Sequence, residues 1–440
     1  MLKADTVTFA DVAHQSLVFE RSHPAARLVL ELIDTPWIQR LRNIRQTGNT
    51  NLVYMFSEHS RFGHSLGVAY LALQLMEKLS RNHAEKIAPF EKAVAAAAIL
   101  HDVGHVAPGS HLGARLWATD GSDFHEFVSE RICEEDPEIS AILRAVDPEL
   151  PSLVRKILAH DPSLPPWTSA LISGSGWNAD RGNWTIVDSA MCSVTYGRYN
   201  VRALIDAYTL SADGELVLHE SRLDALTHFF VARDSMYRQV YQHRVLQSAD
   251  ALTVAIITRL RDLLAEQCTA EQCAADRGAV EFFADQTMRA ALASKNYATE
   301  LSLSLIFSMT ESWWLYHIAQ WCSATDPVLR DLALRLRDRK LFKTVRLPEN
   351  EVERREMITV ATKLAQDLGL DAKYYVHSVS NLDQHRKPEV SPPKVLLESG
   401  GLTSVYEIEP MLNALNERPA HRREWLVLPG AVKEKLGRAR

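Results

Sequence analysis

Apolar residues recur along this chain with two periods, and the change from one to the other divides it. Near the start, Thr6-Val7-Thr8-Phe9 and Leu17-Val18-Phe19 are short β-like patches that predict a small hairpin within residues 5–20. After Pro24 the spacing turns helical, with Leu28, Leu32 and Ile33 on one face. Asp34-Thr35-Pro36 predicts the next helix start, Asp34 as N-cap and Pro36 in the first turn. That helix carries Ile38, Leu41 and Ile44 and ends near Gly48. SLGVAYLALQLMEKL from Ser65 and the run Ala93–Leu100 predict two strong helices, followed by helical patterns over 124–134, 139–145 and 152–159. Gly, Ser and Asn crowd residues 173–183, which predicts a loop. Helical spacing resumes as one long run over 222–265, then over 279–293 and 298–320.

Past about residue 340 the pattern changes again. Tyr374-Tyr375-Val376 and Glu424-Trp425-Leu426-Val427-Leu428 predict strands, with Pro388, Pro392 and Pro393 breaking the chain between them. The basic stretch Lys433–Arg440 reads as a solvated tail. The pattern predicts a mainly α chain in three parts: a β-like segment over 1–23, a helical core over 24–345 and a smaller α+β region over 346–440.

Composition narrows the class. With 46% hydrophobic and 24% charged residues the chain has ordinary globular composition. A formal net charge of −6 argues against non-specific nucleic-acid binding as the main activity. The five cysteines include no CxxC pair, which fits a reducing compartment better than a disulfide framework. MLKADTVTFADVAH lacks a basic segment followed by an apolar stretch, and the apolar run Ala93–Leu100 is too short to span a bilayer. These features lead to the expectation of a cytoplasmic protein.

The candidate chemistry lies at helix ends. His101-Asp102 closes a small apolar helix and precedes Val103-Gly104-His105, while His64 opens another helix inside HSRFGHSLG. Asp180, in WNADRGNW, supplies a second carboxylate. Imidazole with carboxylate suits a divalent ion such as Mn, Mg, Fe, Co or Zn. Such an ion lowers the pKa of bound water and polarises a phosphoryl oxygen. Alone, a His-Asp pair also reads as a helix cap beside a surface histidine, and His64 as a core or surface histidine; order and flanking residues together favour the metal.

These residues lie in motifs that resemble the HD-domain deoxynucleoside triphosphate triphosphohydrolases, a family that includes bacterial dGTPase-like enzymes and a vertebrate enzyme carrying a sterile alpha motif. The motifs are IDTPWIQRLRNIRQTG (33–48), SRFGHSLGVAYLA (60–72), HDVGH (101–105), NADRGNWTIVDS (178–189), ARDSMYRQVYQHR (232–244) and TDPVLRDLALRLRDRKLFKTV (325–345). The match is closer to the catalytic core of the vertebrate enzyme. It implies an HD-domain helical core with His64, His101, Asp102 and Asp180 as metal ligands. It also implies attack at the α-phosphorus, releasing deoxynucleoside and intact tripolyphosphate.

By the same resemblance, Arg61, Arg181 and Arg233 contact phosphate, and His105, His111, His125 and Glu126 form a second catalytic cluster, His111 being placed to protonate the leaving 5′ oxygen. Asp188, Tyr241 and Gln46 correspond to sugar contacts, Asp188 at the 3′-hydroxyl and Tyr241 against a 2′-hydroxyl. The family's tyrosine after the metal aspartate is Trp184 here, and its flanking acids are Asn178 and Asn183. Asp34, Gln39, Arg42, Arg339 and Lys343 correspond to an intersubunit site for an activating guanine nucleotide, which implies a homo-oligomer. Without the motifs, the arginines read equally as surface ion pairs, Asp34 as a helix cap and Trp184 as a core aromatic. Two other functions stay open: an HD phosphohydrolase for a ribonucleotide or modified nucleotide, and a nucleotide-binding regulatory protein with little catalysis.

Overall fold

A computed structural model of the protein describes residues 5–119, 124–270, 285–381, 392–417 and 423–438, apart from the side chains at 111, 267–270, 381 and 423. Cys273, Pro388 and residues 279–284 of an expected helix lie outside this set.

The N-terminal hairpin forms as alternation predicts. β1 (Thr6–Asp11) pairs antiparallel with β2 (Gln15–Glu20), Thr6 opposite Glu20 and Asp11 opposite Gln15. Leu17 and Phe19 turn inward, Phe19 meeting Phe9 edge-on at 5.9 Å. Asp11 Oδ1 closes the turn by accepting from the Ala13 and His14 amides at 2.8 and 2.7 Å.

The helical body follows. α1 (Pro24–Ile33) buries Leu28, Val29, Leu32 and Ile33. Asp34 is the C-cap of α1; Thr35 caps α2 (Pro36–Arg40), which tightens into a 3-10 turn over Leu41–Asn43 and stops at extended Ile44, short of Gly48. Next come α3 (Arg61–Ile87) and α4 (Glu91–Leu100). All of Ala93–Leu100 is buried, because α4 is apolar on every side and packs against α1, α3 and a later helix, α8. α5 (His111–Leu116), α6 (His125–Glu135), α7 (Pro137–Val146), α8 (Leu150–Leu158) and α9 (Trp167–Ser173) continue the body.

The expected loop over 173–183 is shorter than its composition implied. α10 (Ala179–Met191) begins inside it, with Asn178 as N-cap accepting from the Arg181 amide at 2.8 Å. After α11 (Val201–Ala207), the expected single run over 222–265 is two helices, α12 (Leu223–Met236) and α13 (Arg244–Ala270), joined by a π-helical turn over Tyr237–Tyr241. The run over 298–320 is likewise broken. Ser302 and Thr310 each cap a new helix, giving Tyr297–Glu300, Leu303–Ser308 and Glu311–Trp321.

Two further sheets are small. β3 (Tyr208–Leu210) and β4 (Leu216–His219) belong to the body; β5 (Lys343–Arg346), β6 (His377–Asn381), β7 (Lys394–Leu396), β8 (Leu402–Ser404) and β9 (Arg423–Leu428) come later. Their orders are β3-β4-β7-β8 and β5-β9-β6. Tyr374 and Tyr375 form a short helix capped by Asp371, and the strand begins only at His377. The basic C-terminal stretch is helical from Gly430 to Arg438, since Val432 and Leu436 join a small core with Met357, Ala361 and Leu426. No helix among the described residues is long and apolar enough to cross a membrane.

Candidate active site

The first turn of α3, the end of α4 and the first turn of α10 converge. They bring together His64, His101-Asp102 and Asp180. His64 Nε2 lies 3.0 Å from Asp180 Oδ1 and 3.5 Å from Asp102 Oδ2, while His101 Nε2 lies 3.6 and 3.7 Å from Asp102 Oδ1 and Asp180 Oδ1. Both imidazoles are oriented from behind. His101 Nδ1 donates to the Ala98 carbonyl at 2.8 Å, and His64 Nδ1 donates to Asn183 Oδ1 at 2.9 Å. Each proton therefore sits on Nδ1 and each Nε2 offers a lone pair. Those two atoms are buried and make no hydrogen bond of ordinary geometry. Lone pairs facing two carboxylates at these distances repel unless a cation lies between them. This donor set fits a divalent ion, as the sequence predicts.

Electrostatics show the same demand for positive charge. Burial lowers the His101 pKa, but Asp102 and Asp180 outweigh it and lift the group to about 9, so with no ion between them Nε2 would take up a proton instead of offering its lone pair. Burial works against ionisation of Asp180, yet the His101 and His64 rings beside it hold it below the usual carboxylate range. Arg61, His101 and His105 do the same for Asp102, again against its burial.

Asp102 also faces the second histidine cluster, through the same Oδ1 that His101 approaches. His105 Nε2 and His125 Nε2 stand 3.3 and 3.8 Å from Asp102 Oδ1, and the two rings stack with centroids 3.8 Å apart. Burial, with Arg61 and His125, drives the His105 pKa well down, so this ring is neutral. Arg61 donates to Asp102 Oδ2. Glu126 also reaches the cavity, whereas the side chain of His111, which opens α5, lies outside the described residues.

One cavity of about 540 Å³ joins these groups to a second wall. There Tyr241 donates its hydroxyl to Asp188 Oδ2, and His59 Nε2 meets Asp188 Oδ1 at 2.7 Å. Burial and then Asp188 push the Tyr241 pKa well up, so the phenol keeps its proton. Trp184 packs edge-on against both Tyr237 and Tyr241 at 5.6 Å. Gln46 lines the same space. Arg181 and Arg233 are not in the cavity lining: Arg181 donates to the Gly176 carbonyl at 3.2 Å, and Arg233 lies 5.0 Å over the Tyr237 ring.

The residues expected to hold a guanine nucleotide fall in two places. Gln39 accepts from Arg42 Nε at 2.8 Å near the exposed Asp34, and Arg42 lies 3.6 Å over the Phe62 ring. Arg339 bonds the Leu52 carbonyl at 2.7 Å, and exposed Lys343 starts β5.

Sequence reasoning missed several groups. His59 is the first of the two histidines in EHSRFGHS, and that density was the available signal. Asp250 lines the cavity and accepts from Asn49 at 2.9 Å; His377 to Ser380 of β6 also line it. Those contacts arise only when distant segments pack, and no local pattern announces them.

The HD domain family matches residues 61–171. The Bacillus subtilis protein YwfO is 30% identical over 377 residues, which cover 85% of this chain and 79% of that protein. SAMHD1 of Danio rerio, a deoxynucleoside triphosphate triphosphohydrolase, is 44% identical over 92 residues, 20% of this chain and 14% of that enzyme. The Dictyostelium discoideum homolog of that enzyme is 27% identical over 251 residues, 52% and 46% of the two chains, so the chain spans less than half of these triphosphohydrolases. A solved phosphohydrolase of Bacteroides thetaiotaomicron shares the fold, with a TM-score of 0.78 over 96% of this chain and 99% of that one at 22% identity. The chain belongs to the HD-domain family.

Proposed function

We propose that the protein hydrolyses deoxynucleoside triphosphates to deoxynucleoside and tripolyphosphate, with a divalent ion held by His64, His101, Asp102 and Asp180. The observation that carries this reading is the single cavity: its wall holds His101, Asp102 and Asp180 and also Tyr241 and Asp188, with His59 bonded to Asp188 behind it. A bound Mn, Mg, Fe, Co or Zn ion would supply a hydroxide nucleophile and polarise the α-phosphoryl group. Arg61 offsets phosphate charge beside Asp102. The proton for the leaving 5′ oxygen comes from the second histidine cluster, through His111 or His125; neutral His105 orients His125 by stacking, and Glu126 lies beside them. Asp188 accepts the 3′-hydroxyl. Tyr241, backed by Trp184, crowds the position a 2′-hydroxyl would take. Arg181 and Arg233 swing toward the phosphates once a substrate enters.

Activation by a guanine nucleotide at Asp34, Gln39, Arg42, Arg339 and Lys343, in a homo-oligomer, belongs to the same reading. The exposure of Asp34, Arg42 and Lys343 supports it. A second reading, hydrolysis of a ribonucleotide or modified nucleotide, is favoured by Trp184, whose indole narrows the sugar end against two tyrosines.

One experiment separates them. Purified protein with Mn or Mg is given deoxy- and ribonucleoside triphosphates, with and without GTP or dGTP, and the products are identified. Deoxynucleoside with tripolyphosphate is the expected result, and Asp102→Ala should abolish it. Faster turnover of ribonucleotides moves the assignment to the second reading; no turnover across the panel removes both.

A further inference from the structure

We infer that His14, at the tip of the N-terminal hairpin, is a positioning residue for the metal site: it fixes the Asn183 amide so that His64 presents a ligating Nε2. The inference rests on the metal reading above.

An asparagine amide can face either way, and only one way serves His64. With Oδ1 toward His64, the amide accepts the Nδ1 proton at 2.9 Å and leaves Nε2 with its lone pair. With Nδ2 toward His64, a donor would face a donor; the imidazole would have to move its proton to Nε2 and lose its capacity as a ligand. The choice is made on the other side of the amide. Asn183 Nδ2 donates to His14 Nε2 at 3.2 Å, and a flipped amide would set its oxygen against that lone pair. Both ends of the amide thus penalise the wrong orientation.

His14 is itself built to accept. Its backbone amide is tied to Asp11 Oδ1 at 2.7 Å, and its ring packs on Tyr70 with centroids 5.9 Å apart. Burial lowers its pKa and outweighs the raising effect of Asp11, so the ring is neutral and can keep a lone pair on Nε2. Asn183 has no room to evade the choice. It is fully buried between α10 and α3, and a Cβ built on Gly67 would lie 2.0 Å from Asn183 Nδ2. The hairpin therefore reaches the metal site through two hydrogen bonds, although no hairpin residue is itself placed as a ligand.

The test reads metal affinity. Protein stripped by chelator is titrated with Mn²⁺ by calorimetry, and thermal melts confirm folding of each variant. His14→Ala should weaken Mn²⁺ binding by about 10-fold, the lower end of what outer-sphere changes cost. His14→Gln, which can return an acceptor, should recover part of that loss. Asn183→Asp removes the orientation problem, because either carboxylate oxygen accepts from His64. In that background His14→Ala should change affinity by less than about twofold, against the ~10-fold loss in the parent. An equal loss in both backgrounds overturns the inference, since His14 would then act only through general packing. So does unchanged affinity in His14→Ala while His64→Ala loses the ion. If His64→Ala binds Mn²⁺ like the parent, the metal reading itself fails and takes the inference with it.

Discussion

Asp250 is a carboxyl group that the fold holds partly against its own chemistry. Burial in the cavity wall raises its pKa to about 7, against the opposing hydrogen bond from Asn49. In the unfolded chain an aspartate titrates near about 4. The folded pKa is the higher one, so the stabilising form is the protonated one. Its contribution is complete below about pH 4 and is lost as pH rises through about 7. Asp250→Asn keeps an acceptor for Asn49 and removes the titration. The variant's Tm relative to the parent should therefore climb between about pH 4 and 7 and then level. A pH-independent difference would show that Asp250 is ordinary solvated carboxylate. In the sequence, one aspartate on a helix reads as a polar face. The candidate His/Asp cluster was legible because His101 and Asp102 are adjacent and His64 opens a recognisable motif. His14 and His59 were not, because hairpin and loop closure carry them to the site.

At the scale of elements, the helices with unbroken apolar faces were legible and their interruptions were not. Asn, Ser and Thr serve loops and caps by the same hydrogen bonds, so composition alone does not separate the two. Residues 173–183 show the consequence. Asn178 is buried; it donates to the Gly174 carbonyl at 2.6 Å while capping the Arg181 amide, and so starts α10 where composition implied coil. The π turn at Tyr237–Tyr241 escaped detection for a related reason, since apolar spacing continues on both sides of it. The cap has a functional side, because Asp180 sits in the turn it fixes. Asn178→Ala loses the cap and leaves a half-buried carbonyl unpaired, for a cost of about 1–2 kcal/mol. Urea unfolding would measure this, and Mn²⁺ titration should show weaker binding as the first turn frays. A stability change under about 0.5 kcal/mol would mean that the cap does not hold the turn.

For the whole molecule, the α+β region read from the C-terminal sequence does not stand apart in its packing. Part of it, around Met357, Leu426 and Leu436, makes a small core of its own. The remainder, including Tyr374, Tyr375, Val395 and Val427, packs into the main helical core. Polar contacts cross in the same direction: Tyr374 donates to Asp262 of α13 at 2.6 Å, and Tyr375 to Asp331 at 2.8 Å. The region also completes the cavity, because His377 to Ser380 of β6 form part of its wall. A region that shares its apolar core with the body cannot unfold alone without exposing that core to water. The full chain should therefore melt in one calorimetric transition despite its length. A chain ending after Arg346 would lack β6 and β9, leave β5 unpaired and open the cavity. It should aggregate or melt without cooperativity. Two resolved transitions in the full chain, or a soluble, cooperatively folding truncation that still binds Mn²⁺, would show that the C-terminal region is an appendage and that the site is complete without it.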